Sequence, residues 1–337
     1  MTSLNTVRLS ASPRGISAAA GILRAGGLVA FPTETVYGLG ADARSDRATR
    51  AIYEAKGRPS HNPLIAHVSS LKAAEVFAEF PPLARRLAEA FWPGPLTLVL
   101  KKRPESGLSE VTTAGGARVG LRVPAHPTAL ALLEAFGGPL AAPSANRSGA
   151  VSPTEADHVL EGLAGRIGAV IDAGPCVVGL ESTILLVEGE EARLLRPGGL
   201  ALEELEAVAG GPIRAAQDEE DAAEPLSPGR LKSHYAPRAG LRLDAAAPAP
   251  GEAWLGFGED PAAAEGAVLR RNLSPAGDLR EAATKLFGLL REMDSELTAL
   301  TGGAGGFIAV APLPEGGLGR ALNDRLRRAA APRPEKS

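Results

Sequence analysis

Short apolar runs and segments of helical spacing alternate along the first two thirds of the chain. The runs Leu28–Phe31 and Leu64–Val68, each next to a proline, predict buried strands. The segments Ile16–Arg24 and Arg47–Lys56 have the spacing of amphipathic helices and are closely followed by glycine. This alternation predicts an α/β fold. The same criteria predict further helices over 72–80, 83–91, 128–136 and 202–209, and further strands over 96–101, 119–123, 169–171, 183–187 and 193–196.

A change of composition near residue 217 separates this region from a smaller one. The stretch 217–237 begins acidic and continues with prolines and a glycine, which is typical of a linker. We therefore predict two α/β domains, over 1–212 and 239–337, joined by a linker over 213–238. In the second domain the pattern predicts strands over 254–257 and 307–311, a helix in two or three stretches over 279–299, and a helix over 318–330.

Composition and charge limit the classes of function. Of the 337 residues 45% are hydrophobic and 4% aromatic, so the core must be built from Ala, Val, Leu and Ile. The net charge of -3 provides no overall basic field, and we expect no stable tRNA binding by this chain alone. Cys176 is the only cysteine, which excludes an intrachain disulfide and a cysteine zinc site and predicts a small buried side chain. The N-terminal sequence lacks the apolar core of a signal peptide and no run is long enough to span a membrane, so we expect a cytoplasmic protein.

The segment Pro32–Ala43 places polar side chains directly after a predicted buried strand. Thr33, Glu34, Thr35 and Tyr37 crowd a turn, and strand ends commonly present such groups to a ligand. The alternative is the start of a helix with Thr33 or Thr35 as its N-cap. The sequence contains no G-x-x-x-x-G-K-[ST], no complete G-x-G-x-x-G and no H-E-x-x-H motif, so any nucleotide chemistry must use another architecture.

Three cations have both a ligand-binding and a structural interpretation. Lys56 and Arg58 flank Gly57 in a proline-stiffened segment, which suits a triphosphate; a solvated helix end is the alternative. Arg122 lies inside an apolar strand, where a guanidinium is costly unless it is paired. Its partner is either a ligand carboxylate or the carboxylate of a structural salt bridge.

Two loops and the linker contain further candidate ligand groups. The loop 142–156 is rich in small residues, Ser and Asn, so a nucleotide can approach its backbone closely. The segment 179–184 is a second polar approach to a strand. In the linker, His234 and Tyr235 suit either stacking and hydrogen bonding to a ligand or simple packing.

Seven motifs occur in the order and spacing of one known family: PTETVYGLG, YEAKGRPSHNPL, FWPGPLTLVL, RVP, PSANRSG, ESTI and LLRPG. Over residues 15–205 the chain resembles the YrdC-type threonylcarbamoyl-AMP synthases, and HYAP followed by a small domain resembles their long two-domain form. The resemblance implies a twisted mixed sheet with a large concave cavity, plus a smaller Rossmann-like domain. It also implies a nucleotidyltransferase that converts L-threonine, bicarbonate and ATP into threonylcarbamoyl-AMP and pyrophosphate. The product would serve N6-threonylcarbamoylation of the adenosine next to the anticodon in tRNAs that read codons starting with A.

The resemblance also assigns roles to residues of this chain. Mg²⁺ is expected with the triphosphate, held mainly by phosphate oxygens and water, and a partner enzyme would transfer the product to tRNA. The residues expected to bind threonine are Thr35, His67, Arg122, Ala142 and Ser182, with Arg122 on the carboxylate. Those expected around ATP are Lys56, Arg58, Asn62, Arg118, Ser144, Asn146, Ser152, Arg196, His234 and Tyr235, with Lys56 and Arg58 as the catalytic pair.

Three other functions compete with this interpretation. A YrdC-like surface could bind RNA without catalysis, although the net charge of -3 argues against it. Carbamoyl transfer of the hydrogenase-maturation kind would require cysteine-rich zinc regions and acylphosphatase-like regions that this sequence lacks. An enzyme that adenylates another amino acid, such as serine, is compatible with the same motifs.

Overall fold

The chain folds into two units in the computed structural model, which describes residues 4–215, 234–303 and 305–332. The described part of the first unit comprises residues 4–148, 153–177 and 181–215. The second unit comprises 149–152, 178–180 and the described residues from 234 onward. Most of the predicted linker, 216–233, lies outside the described residues.

Strands and helices alternate through the described part of the first unit, as predicted. Its strands are β1 (Val7–Ser10), β2 (Val29–Phe31), β3 (Gly38–Asp42), β4 (Ile65–His67), β5 (Leu96–Lys101), β6 (Arg118–Arg122), β7 (Leu140–Ala141), β8 (Ala169–Asp172), β9 (Thr183–Glu188), β10 (Glu191–Arg196) and β11 (Arg214–Ala215). Its helices are α1 (Pro13–Arg24), α2 (Asp46–Lys56), α3 (Leu71–Ala74), α4 (Pro82–Phe91), α5 (Pro127–Phe136), α6 (Ala156–Leu163) and α7 (Leu202–Ala209).

The strands of the first unit form one large mixed sheet in the order β1-β8-β2-β3-β7-β4-β6-β5-β9-β10-β11. The pairs β4/β6 and β5/β9 are parallel, whereas β5/β6 and β4/β7 are antiparallel. In consequence the carboxyl ends of β4 and β6 lie at the same edge of the sheet as the amino ends of β5 and β9.

Alternating side chains of the central strands enter different apolar cores, as the period of two in a strand requires. Ala30 of β2 belongs to the larger core, whereas its neighbours Val29 and Phe31 pack with α1 and α5 residues such as Leu23 and Leu132. The cores consist mainly of Ala, Leu, Val and Ile, which confirms the expectation drawn from the low aromatic content.

Some predicted elements differ from the observed ones. The helix predicted over 72–80 ends at Ala74, because Ala78 and Glu79 pair with the end of β5 around Lys101 instead. Strand β3 and helix α6 were not predicted. The GLGAD sequence of β3 lacks the β-branched residues by which strands are usually identified, and its pairing with β2 and β7 is what makes it a strand.

The second unit contains a four-stranded sheet in the order β12-β15-β13-β14, with three parallel pairs. Helix α8 is one continuous helix rather than the predicted two or three stretches, since its buried side chains, from Ala282 to Leu297, continue along one face past Gly288. None of the described helices is long and apolar enough to cross a membrane. The elements of this unit are β12 (Gly240–Arg242), β13 (Ala253–Gly256), a 3₁₀ turn (Ala262–Gly266), β14 (Arg270–Asn272), α8 (Leu279–Leu300), β15 (Phe307–Val310) and α9 (Gly319–Ala330).

Candidate functional site

The strand register of the first unit brings together side chains that are distant in sequence. His67, the last residue of β4, is the register partner of Arg122, the last residue of β6. The loop 32–37 reaches the same place, because the hydroxyl of Thr35 accepts a hydrogen bond from Arg122. No helix begins at Thr33 or Thr35, so the N-cap interpretation of this segment is wrong; the chain continues instead into β3. We call Glu34, Thr35, His67 and Arg122 the Arg122 cluster.

Arg122 is held by three groups of the protein. Its Nη2 donates to Oε1 of Glu34 at 2.7 Å and to Oγ1 of Thr35 at 2.9 Å, and its Nε donates to the carbonyl of Gly94 at 3.3 Å. The side chains of Arg122 and Glu34 are 5% and 7% exposed, so the ion pair is buried. The structural salt bridge foreseen as one alternative therefore exists. Among the residues the structure describes, Nη1 of Arg122 has no hydrogen-bond partner, which leaves that edge of the guanidinium for a ligand.

His67 is a neutral imidazole. Burial and the nearby charge of Arg122 lower the pKa of His67 to about 3. Its Nδ1 lies 3.4 Å from the carbonyl of Ile65, and because a carbonyl only accepts, Nδ1 carries the proton. Nε2 is then an acceptor, which suits a ligand hydroxyl or N–H group.

The second group of predicted residues meets at the end of α2. Lys56 is the last residue of this helix, and Gly57 caps it with φ 63°, a left-handed conformation that favours glycine. Nζ of Lys56 donates to the carbonyls of Ser144 at 2.5 Å and Asn146 at 2.6 Å. Arg58 donates through Nε to the carbonyl of Asn62 at 3.3 Å. We call Lys56, Arg58, Asn62, Ser144 and Asn146 the Lys56 cluster.

The Lys56 cluster is a buried cationic site. Burial, and next to it the charge of Arg58, lower the pKa of Lys56 well below its usual range, while Glu181 opposes the shift. Oδ1 of Asn62 is also buried and has no hydrogen-bond partner within the described parts of the chain. An unsatisfied buried acceptor is costly, so a ligand donor at this position would be favoured. Two buried cations with an unsatisfied amide suit a phosphorylated ligand better than the solvated helix end considered from sequence.

A third group links two motifs of the sequence. Arg196, at the end of β10, donates through Nη2 to the carbonyl of Ser182 at 2.9 Å and to its hydroxyl at 3.3 Å. The hydroxyl of Thr97, on β5, lies 2.7 Å from that of Ser182. The chain turns closely here, since a Cβ on Gly198 would lie 2.3 Å from the carbonyl oxygen of Glu181. We call Thr97, Ser182 and Arg196 the Arg196 cluster.

Ala142 joins two of these groups. Its N–H donates to the carbonyl of Ile65 on β4, and Ser144 two residues later forms a bridge with Gly38 at the start of β3. The loop that carries the Lys56 ligands therefore begins beside the strand that carries His67.

Arg118 is not brought to these clusters. It begins β6, opposite Lys101 at the far end of β5, and forms an ion pair with Glu188 at the end of β9. Arg122 lies at the other end of the same strand. The partner of Arg118 thus explains its position without a ligand, and its role at ATP stays a prediction.

Three of the predicted ATP residues belong to the second unit: Ser152, His234 and Tyr235. The ring of Tyr235 stacks on Phe287 with 5.5 Å between centroids, and the guanidinium of Arg325 lies 5.2 Å from its centroid. Tyr235 is 1% exposed, so packing explains the position of its ring. Packing is one of the two interpretations that the sequence allows for this residue. In the same unit Ala236 N–H donates to the carbonyl of Gly149, in the segment that contains Ser152.

The sequence assigns no substrate to Thr33, Glu34, Thr97 or Glu181, although each contacts or influences a residue that it does assign. Glu34 and Thr97 gave a detectable signal, because each is a polar residue beside or inside a predicted buried strand. Cys176 is buried, as expected, and burial raises the pKa of its thiol to about 12, so it is not a nucleophile here.

Family models match most of the chain. One described as telomere recombination, of the Sua5, YciO and YrdC proteins, matches residues 21–198. Another described as the C-terminal domain of threonylcarbamoyl-AMP synthase matches residues 200–331.

Curated proteins and solved structures agree with these models. A threonylcarbamoyl-AMP synthase of Bacillus subtilis is 41% identical over 97% of this chain and 96% of its own length. One of Pyrococcus abyssi is 48% identical over 71% of this chain and 70% of its own. A crystal structure of P. abyssi Sua5 complexed with L-threonine is similar with a TM-score of 0.85 and 40% identity, over 96% of this chain and 97% of that one.

Proposed function

The chain belongs to the family of two-domain threonylcarbamoyl-AMP synthases, and from that premise we propose how its residues carry out the reaction. The reaction converts L-threonine, bicarbonate and ATP into L-threonylcarbamoyl-AMP and pyrophosphate. The observation that carries the proposal is the Arg122 cluster, in which the open edge of the guanidinium lies beside the hydroxyl of Thr35 and the neutral imidazole of His67. A cationic edge together with neutral acceptors is complementary to the carboxylate, ammonium and hydroxyl groups of threonine.

The proposed roles follow the three clusters. Arg122 binds the threonine carboxylate through Nη1, while Thr35, His67, Ser182 and the backbone near Ala142 contact the rest of the amino acid. The Lys56 cluster and Arg196 bind the phosphates and ribose of ATP. The ammonium group of threonine first loses a proton to solvent, and the resulting amine condenses with bicarbonate to give a carbamate and water. A carbamate oxygen then attacks the α-phosphorus of ATP, and the bond between the α-phosphorus and the leaving pyrophosphate breaks. No covalent enzyme intermediate is required, so positioning and charge stabilisation by Lys56 and Arg58 supply the catalysis.

Mg²⁺ would accompany ATP in this proposal. Among the described residues no group of three or more His, Cys, Asp and Glu side chains could hold a metal ion. Glu181 is a buried carboxylate close enough to Lys56 to raise its pKa, and one carboxylate plus phosphate oxygens and water is a usual Mg²⁺ environment. When bound, the ion would neutralise charge on the phosphates.

The product is a reactive mixed anhydride, which a second enzyme would transfer to adenosine 37 of tRNAs that read codons starting with A. We propose that this chain itself holds no tRNA stably, because its net charge of -3 provides no general affinity for phosphates. Because the reaction uses ATP and a second enzyme would transfer its product to tRNA, we propose that it takes place in the cytoplasm.

Pyrophosphate release by the purified protein tests the proposal. ATP should be consumed only when L-threonine and bicarbonate are both present, and Lys56→Met should abolish the release while the protein stays folded by circular dichroism. Serine in place of threonine then measures the amino-acid preference. Release that needs neither threonine nor bicarbonate would contradict the proposal. A folded protein that releases none, yet binds RNA in a salt-dependent way, would favour the RNA-binding alternative.

A further inference from the structure

The geometry of the loop 33–36 determines where its hydroxyl protons point. Oγ1 of Thr33 lies 2.7 Å from the carbonyl of Val36 and 2.7 Å from Oγ1 of Thr35. It also accepts longer bonds from the backbone N–H groups of Thr35 at 3.2 Å and Val36 at 3.3 Å. A carbonyl cannot donate, so the single hydroxyl proton of Thr33 points to Val36; otherwise two acceptors would face each other without a proton. The hydroxyl of Thr35 must therefore donate to Thr33.

Arg122 determines the rest of the bonding at Thr35. A guanidinium only donates, so Oγ1 of Thr35 accepts from Nη2 of Arg122 at 2.9 Å. The Thr35 hydroxyl thus uses its proton on Thr33 and one lone pair on Arg122. What is left is one lone pair, and Thr35 can offer a ligand only an acceptor.

Glu34 determines which edge of Arg122 is open. Its Oε1 accepts from Nη2 of Arg122 at 2.7 Å, and its Oε2 accepts from the N–H of Ala125 at 3.0 Å. With both oxygens engaged and the side chain 7% exposed, the carboxylate has little freedom to turn. Glu34 thus holds Nη2 of Arg122, the carbonyl of Gly94 holds Nε, and Nη1, which can only donate, is left.

We infer that Thr33 and Glu34 are positioning residues that set the polarity of the threonine subsite. Thr33 makes Thr35 an acceptor for the substrate ammonium, and Glu34 holds Arg122 so that Nη1 is left to donate to the carboxylate. This inference rests on the proposed binding of threonine by Thr35 and Arg122. It adds that recognition of the ammonium by Thr35 depends on Thr33, which does not touch the substrate but accepts the hydroxyl proton of Thr35.

The matched test compares Thr33→Val, Thr33→Ser and Thr49→Val. Thr49 controls for the loss of a buried hydroxyl, because its own is near a carbonyl (Asp42) and bonded to another threonine hydroxyl (Thr112). Thr33→Ser controls for the backbone N–H bonds that the Thr33 hydroxyl accepts. Two ligands are titrated by calorimetry without ATP: L-threonine, and 3-hydroxybutyrate, which has the same carboxylate and hydroxyl but no ammonium.

In Thr33→Val the Thr35 hydroxyl loses its acceptor and is free to turn its proton towards the ligand. The affinity for threonine should then fall about tenfold, the typical effect of losing a hydrogen bond to a charged group. The affinity of this variant for 3-hydroxybutyrate should be no lower than that of the parent. Thr33→Ser should restore the parent affinities, and Thr49→Val should keep them. Glu34→Gln, which retains the shape but replaces one acceptor by a donor, should raise the threonine KM about tenfold and leave the ATP KM unchanged.

An equal loss of both ligands in Thr33→Val, or unchanged threonine affinity in Thr33→Val and Glu34→Gln, would overturn the inference. Thermal unfolding of each variant separates these outcomes from misfolding. A purely structural role would lower stability without changing the ratio of the affinities for threonine and 3-hydroxybutyrate. A parent protein that neither binds threonine nor releases pyrophosphate would instead contradict the proposed function.

Discussion

His67 and Arg122 face each other in register on two parallel strands, and the structure keeps one of them neutral and the other charged. Burial beside the guanidinium disfavours the doubly protonated, charged imidazole and leaves the neutral form, with one ring proton. Burial and that neighbouring charge together lower the pKa of His67 to about 3. The pair therefore presents one donor and one acceptor at neutral pH.

Acid should destabilise the first unit through His67. Its folded pKa of about 3 lies below the unfolded value of about 6.5, so the unfolded chain binds more protons between these pH values. The unfolding free energy therefore rises with pH across this window, and the contribution of His67 is fully present above about pH 6.5. Between pH 7 and pH 4.5 the parent should lose roughly 2–3 kcal/mol more unfolding free energy than His67→Gln. Urea titrations at both pH values measure this difference, and replacing the exposed His61 by Gln should leave the parent behaviour unchanged.

ATP binding should be accompanied by proton uptake at alkaline pH. Lys56 has a pKa far below its usual range because it is buried near Arg58, and a bound triphosphate would restore the charged form. At pH 9 calorimetry in two buffers of different ionisation enthalpy should show uptake of up to about one proton per ATP bound. Lys56→Arg keeps a permanent charge and should show none. Heats that do not depend on the buffer in the parent would mean that ATP does not contact Lys56.

The hydroxyl of Thr97 should matter for threonine rather than for ATP. Thr97 is fully buried and its hydroxyl bonds that of Ser182. In Thr97→Val the Ser182 hydroxyl loses this partner, and we expect a rise of about five- to tenfold in the threonine KM. Thr97→Ser keeps the hydroxyl and should recover most of the loss. An equal rise in both KM values would show that Ser182 does not distinguish the two substrates.

Tyr235→Phe and Tyr235→Ala should separate packing from contact with ATP. The ring lies between Phe287 and Arg325, so Ala should lower the stability of the second unit by about 3–5 kcal/mol, whereas Phe keeps the packing. In a Trp92→Phe background Trp254 is the only tryptophan, and its fluorescence during urea unfolding follows the second unit. If Tyr235→Phe is as stable as the parent yet has a raised ATP KM, the hydroxyl reaches the nucleotide. Unchanged kinetics in that variant would limit Tyr235 to packing.

Local pattern was sufficient for the elements whose ends are chemically marked. Strand β5 and helix α7 have their predicted bounds, since apolar runs there end at charge or glycine. Strand β3 was missed because its sequence carries little strand preference and its partners are distant in the chain. The same reason applies to the site. The sequence showed that Arg122 needs a partner, but only the register identifies Glu34 as that partner and leaves Nη1 open. The contributions of Thr33 and Thr97 depend on hydroxyl directions, which no spacing of residues reveals.

The burial of Cys176 has a consequence for how the motions of this protein can be followed. Its thiol is the only one in the chain, and in the folded first unit it is out of reach of solvent and largely protonated. A thiol reagent can therefore modify it only in molecules whose first unit has opened. The rate of that single modification reports opening at one known atom, without any engineered label. Because ligands that bind the folded unit suppress opening by mass action, the same rate reads out their binding even when no chemistry follows.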